Sequence, residues 1–381
     1  MKKLTLLLSA ALLMCLLPVR AMAVDIPITS RAALLMEKET GEILFAQNEH
    51  EKLEPASVTK IMTLLLTMEA IDSGKLHYDD IVTASANAAS MGGSQVFLKE
   101  GEQMTVEDLL KAVCVASGND ACVALAEHIA GVTELFVEQM NNRAKELGMN
   151  DTHFVNCNGL TAEGHVTSAY DIALMSRELL LHHDDIHRFT TIWMDSIRGG
   201  EFQLSNTNKL IRFYDGATGL KTGYTSSAGY CISATAEKDG MELIAVIMKG
   251  ETADSRNTDA KALLNYGFST YALVDVKPDE PFAPIPVALG TAGTVQPQLS
   301  EQSSHLLLPK NQVGDLQQSV IVAESLTAPV EKGQKLGELT VSNGADTLLT
   351  VPITAAEAVP RLTWSEMYTQ LLRGAFLAEQ K

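Results

Sequence analysis

The residues best suited to chemistry are a serine and a lysine three positions apart, Ser57 and Lys60, in the sequence SVTK. Residues at i and i+3 of a helix lie on one face, so the hydroxyl and the amine can reach each other. A serine hydroxyl is a poor nucleophile until a base takes its proton, and a lysine serves as that base when burial lowers its pKa. A helix N-terminus also directs N–H groups at the oxyanion that forms when serine attacks a carbonyl. The pair therefore predicts acyl transfer through a serine ester.

Two further motifs bear on the alternative in which Ser57 only caps a helix and Lys60 is a surface lysine. Ser117-Gly118-Asn119 lies at a predicted break between two helices, and Lys221-Thr222-Gly223 opens a predicted strand. S-x-x-K, S-x-N and K-T-G in this order form the constellation of the penicillin-recognising serine acyl enzymes. Together the three motifs favour such an enzyme over a helix cap.

The surroundings of the motifs narrow the family. From about Ala32 to Phe268 the chain resembles the low-molecular-weight penicillin-binding proteins that are serine-type D-alanyl-D-alanine carboxypeptidases. The segments that carry the resemblance are ASVTKIMT, LLKAVCVASGNDACVALAEHIAG, ELGMNDTHFVNCNGL, TSAYDIALMSREL and GATGLKTGYTSSAGYCISA. The resemblance implies an enzyme without a cofactor that removes the terminal D-alanine from peptidoglycan pentapeptide stems. It also implies that β-lactams acylate the same serine.

The resemblance further implies a role for each catalytic residue. Ser57 is expected to be the nucleophile that forms the acyl ester, and Lys60 the general base. Ser117 is expected to pass a proton toward the leaving amine. The implied substrate-binding residues are Asn119, Lys221, Thr222, Gly223 and Tyr224.

The binding residues are expected to act on different parts of the substrate. Asn119 would hold an amide, and Lys221 and Thr222 would bind the terminal carboxylate. The N–H groups of Ser57 and Tyr224 would form the oxyanion hole. Close relatives often have histidine where Tyr224 stands, so this sequence departs from the family pattern at a position that bears on deacylation.

Peripheral residues are assigned on the same resemblance. Arg256 falls where relatives place a helper of the carboxylate site, and Asp171 where they place a loop carboxylate. Gly92-Gly93 is predicted to be a loop at the border of the cleft.

The elements that must position these residues are predicted from local patterns. SVTK begins a helix that is apolar nearly all round, which is typical of a buried central helix. Residues 31–45 predict a β-hairpin before it, and TVED from Thr105 predicts a capping box at the start of another helix. YCISATAEKDGMELIAVIMKG predicts two strands around an Asp-Gly turn. The resemblance adds the fold class: an α/β (α+β) penicillin-recognising serine-enzyme fold, with an antiparallel sheet flanked by helices and an all-helical lobe.

The N-terminus predicts export. Residues 1–23 combine Lys2 and Lys3, an apolar stretch over 4–17 and the small-x-small sequence Ala21-Met22-Ala23, which are typical of a signal peptide. An uncleaved anchor is the alternative. The catalytic region is then expected to span 24–276, at the outer face of the cytoplasmic membrane and the cell-wall space.

The composition and the predicted secondary structure of the chain change after about residue 276. A proline-rich joint begins there, and 277–360 contains short β-type runs with Gly and Pro turns, which predicts a small β-rich domain. Residues 361–381 place seven apolar side chains on one helical face, predicting an amphipathic helix that associates with the membrane surface. These side chains belong to Trp364, Met367, Tyr368, Leu371, Leu372, Ala375 and Phe376.

Composition excludes several classes. The 381 residues carry a formal net charge of −18, which argues against nucleic-acid binding because phosphate contacts need a basic face. No apolar run after the N-terminus is long enough for a multi-span membrane protein. The cysteines that remain after signal-peptide cleavage are predicted to be buried free thiols. They are Cys114, Cys122, Cys157 and Cys231.

Other functions stay open. A class A-like β-lactamase shares the three motifs but needs a loop glutamate for deacylation, and no E-x-x-x-N occurs between Asn158 and Ile172. A peptidoglycan DD-endopeptidase would act on cross-links instead. An inactive cell-wall-binding scaffold is the non-enzyme alternative, which the intact motifs disfavour. LHHDDIH, which ends at His187, is interpreted as a polar helix end rather than a metal site.

Overall fold

The computed structural model describes residues 26–278, 280–300 and 304–378, so the predicted signal peptide at 1–23 lies outside the described residues. The helices are α1 (Lys60–Asp72), α2 (Ala86–Ala89), α3 (Val106–Cys114), α4 (Asn119–Ala130), α5 (Thr133–Glu146), α6 (Ala169–His182), α7 (His187–Thr190), α8 (Leu210–Phe213), α9 (Ala253–Thr270) and α10 (Trp364–Ala378). The strands of the N-terminal part are β1 (Ala32–Glu37), β2 (Ile43–Gln47), β3 (Ile81–Thr83), β4 (Gln103–Thr105), β5 (Met194–Ile197), β6 (Phe202–Ser205), β7 (Ala217–Thr225), β8 (Gly229–Lys238) and β9 (Met241–Gly250). The C-terminal part contains β10 (Tyr271–Asp275), β11 (Ile285–Ala288), β12 (Thr294–Val295), β13 (Pro297–Leu299), β14 (His305–Pro309), β15 (Leu316–Val322), β16 (Leu326–Thr327), β17 (Lys335–Asn343) and β18 (Asp346–Ala355).

The central sheet is antiparallel with the strand order β2-β1-β9-β8-β7. Both of its faces are covered, and every residue of β1 is buried. Alternate residues contact opposite layers, because successive side chains of a strand point to opposite faces. Leu34 and Met36 belong to the core shared with the helical lobe, whereas Leu35 packs with Leu263 of α9. The predicted antiparallel sheet with helices on both sides is confirmed.

Helix α1 is the central helix of the lobe. Its residues from Lys60 to Met68 are all buried, as the apolar composition on every face predicts. A short 3-10 turn, Ala56–Thr59, precedes α1 and carries the serine of SVTK. The SVTK motif therefore enters α1 at its fourth residue, Lys60, and its residues from Val58 onward are buried.

The predicted local signals are present where the sequence places them. Thr105 accepts a hydrogen bond from the Asp108 N–H at the start of α3, and Ser168 accepts one from the Asp171 N–H at the start of α6. The hairpin of β1 and β2 and the Asp-Gly hairpin of β8 and β9 are formed. Short-range side-chain chemistry sets these ends.

The C-terminal part is built from β-strands up to residue 355. β13, β18, β17 and β15 form one antiparallel sheet, and β12, β11 and β16 form a smaller one. β10 pairs with β14, so the strand at 271–275 already belongs to this β structure. Two small apolar clusters fill it, one of them around Leu339 and Val351.

The terminal helix α10 begins three residues after the predicted start at 361. Arg361 and Leu362 still contact the β structure, because Arg361 forms a β-bridge with Gly290 and the Leu362 N–H donates to the Leu289 carbonyl. Among the side chains of α10 whose burial the structure describes, four large apolar ones are exposed: Trp364, Tyr368, Leu371 and Leu372. Among residues 26–278, 280–300 and 304–378, no helix has both the length and the apolar character needed to span a bilayer.

Candidate active site

Ser57 and Lys60 contact each other as their spacing predicts. The Lys60 Nζ lies 2.9 Å from the Ser57 Oγ. The amine is 0% exposed, and it also donates to the Asn119 Oδ1 at 2.6 Å and to the Asn158 carbonyl at 2.7 Å. Burial lowers the pKa of Lys60 to about 8. A substantial fraction of the amine is therefore neutral near pH 7 to 8, which is the form that can accept the serine proton.

Backbone packs closely around Ser57. A Cβ atom added to Gly159 would lie 1.9 Å from the Ala56 carbonyl oxygen, and one added to Gly223 would lie 2.9 Å from the Ser57 nitrogen. Strand β7 and the loop at Gly159 therefore hold the Ala56–Thr59 turn from two sides. Ala56 has a φ of +49°, a left-handed conformation that is uncommon for residues other than glycine. Such strained backbone is concentrated at functional sites.

The second and third motifs meet at Lys221. Its Nζ donates to the Ser117 Oγ at 2.8 Å and to the Thr222 carbonyl at 3.0 Å. Lys221 is 1% exposed, and burial together with the positive charge of Lys60 holds its pKa well below the usual range. Ser117 itself has a φ of +62°. A buried amine whose contacts in the described chain are neutral oxygens is suited, in its protonated form, to bind an anion.

Asn119 joins the first motif to the edge of the cleft. Its side chain accepts from Lys60 and donates to the Gly92 carbonyl at 2.7 Å, and its N–H donates to the Ser94 carbonyl at 2.7 Å. The prediction that Gly92-Gly93 borders the cleft is confirmed by these contacts. Gly93 has a φ of +79° and passes so close that an added Cβ would lie 2.9 Å from the Asn119 amide nitrogen.

The exposed wall of the site comes from β7. Thr222 is 6% exposed, and its hydroxyl lies 2.7 Å from the hydroxyl of Thr207. Tyr224 is 55% exposed, and its ring centroid lies 4.3 Å from that of Tyr230. The structure thus brings Ser57, Lys60, Ser117, Asn119, Lys221, Thr222, Gly223 and Tyr224 to one cleft between β7 and the helical lobe.

The two peripheral residues are used differently. The Arg256 guanidinium, on α9, donates to the Cys231 carbonyl and to the Asn257 side chain. Asp171, at the start of α6, accepts from the Asp151 N–H and the Thr152 hydroxyl, so it braces a loop junction and makes no contact with the motif residues.

Two residues that support the site, Asn158 and Asp120, lie outside the three sequence motifs and were not predicted. Asn158 acts through its backbone carbonyl, and a carbonyl carries no residue signature. Asp120 stands next to the S-x-N motif and is 1% exposed. Its carboxylate accepts from the Val96 and Leu98 N–H groups, at 3.1 Å and 3.0 Å, and so fixes the loop that runs along the cleft.

The histidine-rich segment forms ion pairs. His183 pairs with Asp72, and His187 lies 3.2 Å from the Glu242 carboxylate. Among the described residues there is no group of three or more His, Cys, Asp or Glu that can hold a metal ion. The four cysteines after residue 23 are buried free thiols, as predicted.

Two family models match the chain, one on either side of helix α9. Residues 19–252 match the family model described as D-alanyl-D-alanine carboxypeptidase. Residues 274–361 match the model described as penicillin-binding protein 5, C-terminal domain. The D-alanyl-D-alanine carboxypeptidase DacF of Bacillus subtilis is 43% identical over 332 residues, which cover 86% of this chain and 85% of the relative.

Solved structures show the same similarity. Penicillin binding protein 5 from Haemophilus influenzae aligns with a TM-score of 0.74 and 29% identity, covering 88% of this chain and 98% of that one. Penicillin-binding protein D2 from Listeria monocytogenes, in its ampicillin-bound form, aligns with a TM-score of 0.60 and 32% identity, covering 64% of this chain and 100% of that one.

Proposed function

Because this chain belongs to the D-alanyl-D-alanine carboxypeptidase family, we propose that Ser57 and Lys60 are the nucleophile and the general base of its reaction. The protein is a serine-type D-alanyl-D-alanine carboxypeptidase, a hydrolase of peptidoglycan stem peptides. One observation carries the residue assignment: the fully buried Lys60 amine lies 2.9 Å from the Ser57 Oγ, between the S-x-N and K-T-G motifs.

Acylation begins with proton transfer. Neutral Lys60 takes the Ser57 proton while its own N–H bonds to Asn119 and Asn158 hold it in place. The Ser57 Oγ attacks the carbonyl of the penultimate D-alanine, and the C–N bond to the terminal residue breaks. The leaving nitrogen takes a proton delivered through Lys60 and Ser117, and D-alanine departs. Water then cleaves the ester and restores Ser57.

The oxyanion of each tetrahedral intermediate needs N–H donors. The backbone of Gly223 lies against the Ser57 nitrogen, so Ser57 and the residue after Gly223 are neighbours in space. We assign the oxyanion hole to the N–H groups of Ser57 and Tyr224, which offer fixed dipoles where negative charge develops.

Lys221 and Thr222 supply the recognition of a free C-terminus. An incoming carboxylate favours the protonated form of the buried Lys221 amine. The Thr222 hydroxyl belongs to a pair with Thr207 that can reorient toward the same carboxylate. A charge-assisted hydrogen bond is stronger than a neutral one. β-Lactams, which carry a carboxylate beside a reactive amide, fit the same pocket and acylate Ser57.

A paired assay tests this function. Purified protein lacking residues 1–23 is incubated with an acyl-D-Ala-D-Ala peptide and, separately, with a labelled penicillin. The account predicts D-alanine release together with a lasting penicillin adduct. Rapid turnover of penicillin would identify a β-lactamase, and neither product nor adduct would favour a scaffold. Cleavage of cross-linked stems at a higher rate than of free stems would favour an endopeptidase.

Export and membrane attachment complete the proposal. Residues 1–23 direct the chain out of the cytoplasm, 24–276 carry the catalysis, 277–360 form a β-rich spacer, and 361–381 attach the enzyme to the outer face of the cytoplasmic membrane. The exposed Trp364, Tyr368 and Leu371 of α10 support attachment by burial in the headgroup region. The charge of residues 361–381 is only +1, from three basic and two acidic side chains, so attachment depends weakly on salt.

A truncation after Thr363 tests the attachment. This end point keeps the contacts of Arg361 and Leu362 with the β structure. The truncated protein is expected in the soluble fraction with unchanged D-alanine release, while the full chain sediments with membranes in both low and high salt. Recovery of the truncated form with membranes would overturn the assignment, and so would release of the full chain by salt.

A further inference from the structure

An open groove of about 660 Å³ lies beside the catalytic cleft and has no part in the reaction described above. Two aromatic rings line it, Phe97 and Phe202, with centroids 6.2 Å apart in an edge-to-face arrangement. The Arg198 guanidinium lies 5.2 Å from the Phe202 ring centroid. The remaining lining residues are mostly charged or polar, among them Lys99 and Glu201. The groove thus combines an aromatic floor with a polar rim.

Phe97 combines an exposed side chain with an uncommon backbone conformation. Its side chain is 66% exposed, and its φ is +58°. A left-handed conformation is a genuine outlier for a bulky residue, and exposure of a phenylalanine ring forgoes hydrophobic burial. Two unfavourable features at one residue persist only where the surroundings impose them, and such sites are concentrated where function requires them.

The surroundings of Phe97 do impose its conformation. On one side the buried Asp120 carboxylate accepts from the N–H groups of Val96 and Leu98. On the other side Arg198 donates to the Val96 carbonyl at 2.9 Å and to the Phe97 carbonyl at 3.4 Å. The flanking backbone is therefore fixed by two charged groups from separate elements, and the ring is directed away from the core.

One loop borders both the groove and the catalytic cleft. The loop that carries Phe97 also contributes the Gly92 and Ser94 carbonyls to Asn119. Phe97 follows Ser94 by three positions, a span of at most about 11 Å even when fully extended. Asp120, which holds the loop, follows Asn119 directly in the chain. One unit therefore presents both the catalytic amide and the aromatic groove.

We infer that this groove binds the sugar that carries the stem peptide, with a pyranose ring stacked on Phe97. This inference rests on the proposed function, because it concerns the far end of the same substrate. A stem of five residues spans at most about 18 Å, so a sugar at its N-terminal end reaches a groove that adjoins the cleft. The C–H face of a pyranose packs against an aromatic face, and its hydroxyls reach the polar rim.

Two substrates that differ only in the sugar test the inference. kcat/KM for D-alanine release is measured on a disaccharide-pentapeptide and on the same pentapeptide without sugar. The variants are Phe97→Asn, which tolerates a positive φ without the ring, and Phe97→Trp, which keeps an aromatic face. Ile321→Ala is the control, since Ile321 is 65% exposed in the C-terminal β structure.

The wild-type protein is expected to prefer the sugar-bearing substrate by about threefold to tenfold, the size of one aromatic contact. Phe97→Asn abolishes this preference and leaves kcat/KM on the free pentapeptide and the melting temperature unchanged. Phe97→Trp and Ile321→Ala keep the preference. Equal losses on both substrates, or a preference that survives in Phe97→Asn, would overturn the inference. Absence of D-alanine release from both substrates by the wild type would instead contradict the proposed function.

Discussion

The catalytic region and the C-terminal β region differ in the kind of side chain that they bury. Within the described residues, the buried polar and charged side chains all lie between Ser30 and Asp259. From residue 271 onward the buried side chains are apolar. Both regions expose large apolar side chains, among them Phe97 in the catalytic region and Ile321 on β15 and Trp364 on α10 in the C-terminal region.

This difference shows how each region works. A buried charge costs free energy unless it is paired or hydrogen-bonded, so buried amines with shifted pKa values are concentrated at functional sites. Lys60 and Lys221 are buried amines whose hydrogen bonds go to neutral oxygens of several separate segments, which fits the roles that we propose for them. None of the residues that meet in the cleft lies in the C-terminal region, and exposed apolar side chains such as Trp364 support the membrane attachment proposed for it.

Substitution of Ser57 should produce the largest effect. Ser57→Ala removes one oxygen and leaves Lys60 bonded to Asn119 and Asn158, so the fold and the melting temperature should be retained. D-alanine release and penicillin labelling should both fall by at least about 1,000-fold. Ser73→Ala, at the opposite end of α1, is the matched control and should keep both. A labelled adduct in Ser57→Ala would place the nucleophile elsewhere.

Changes at the proposed carboxylate pocket should lower kcat/KM less than Ser57→Ala does. The effects of changing the substrate and of changing Lys221 should be strongly non-additive. Converting the substrate carboxylate to an amide removes the partner of Lys221, and kcat/KM should fall by about 100-fold. Lys221→Ala should lose a comparable factor on the free acid but show little further loss on the amide, because the contact is already absent. Equal wild-type rates on acid and amide would contradict the pocket and favour an endopeptidase.

A core substitution in the C-terminal region should leave catalysis unchanged. Leu339 is 0% exposed in β17, so Leu339→Ala should destabilise that region by about 2–5 kcal/mol in denaturant unfolding. kcat/KM on a short peptide should stay at the wild-type value. Leu65→Ala, equally buried in α1, should lower both stability and activity. Loss of activity in Leu339→Ala would show that the two regions are coupled.

The features of this protein that its sequence predicts correctly are set by residues that lie close together in the chain. The i, i+3 spacing of Ser57 and Lys60, the cap at Thr105 and the apolar composition of α1 each act within a few residues, and each appears as predicted. Only the resemblance to a family predicts that the three motifs lie together in space. No local rule places Lys221 beside Ser117, 104 positions away in the chain.

What the sequence did not reveal depends on tertiary contacts. The Asn158 carbonyl accepts a hydrogen bond from the Lys60 amine, 98 positions away in the chain. A side-chain pattern in the sequence does not indicate a contact that a backbone carbonyl makes. Arg198 reaches the loop at Phe97 across 101 positions. Helix α10 begins three residues later than predicted because the β structure holds Arg361 and Leu362. Pairing of this kind overrides the apolar period that predicts a helix from residue 361.

The central claim is that burial turns Lys60 into a base, and the pH dependence of Ser57 acylation tests it most directly. With a pKa of about 8, roughly 1% of the amine is neutral at pH 6 and roughly 90% at pH 9. The rate of penicillin acylation, measured by stopped labelling under single-turnover conditions, should therefore rise with pH and level off above about 8. Lys60→Ala should acylate at less than about a tenth of the wild-type rate and lose this rise. A wild-type rate that is flat from pH 6 to 9, or a Lys60→Ala variant that keeps both the rate and the rise, would contradict the account.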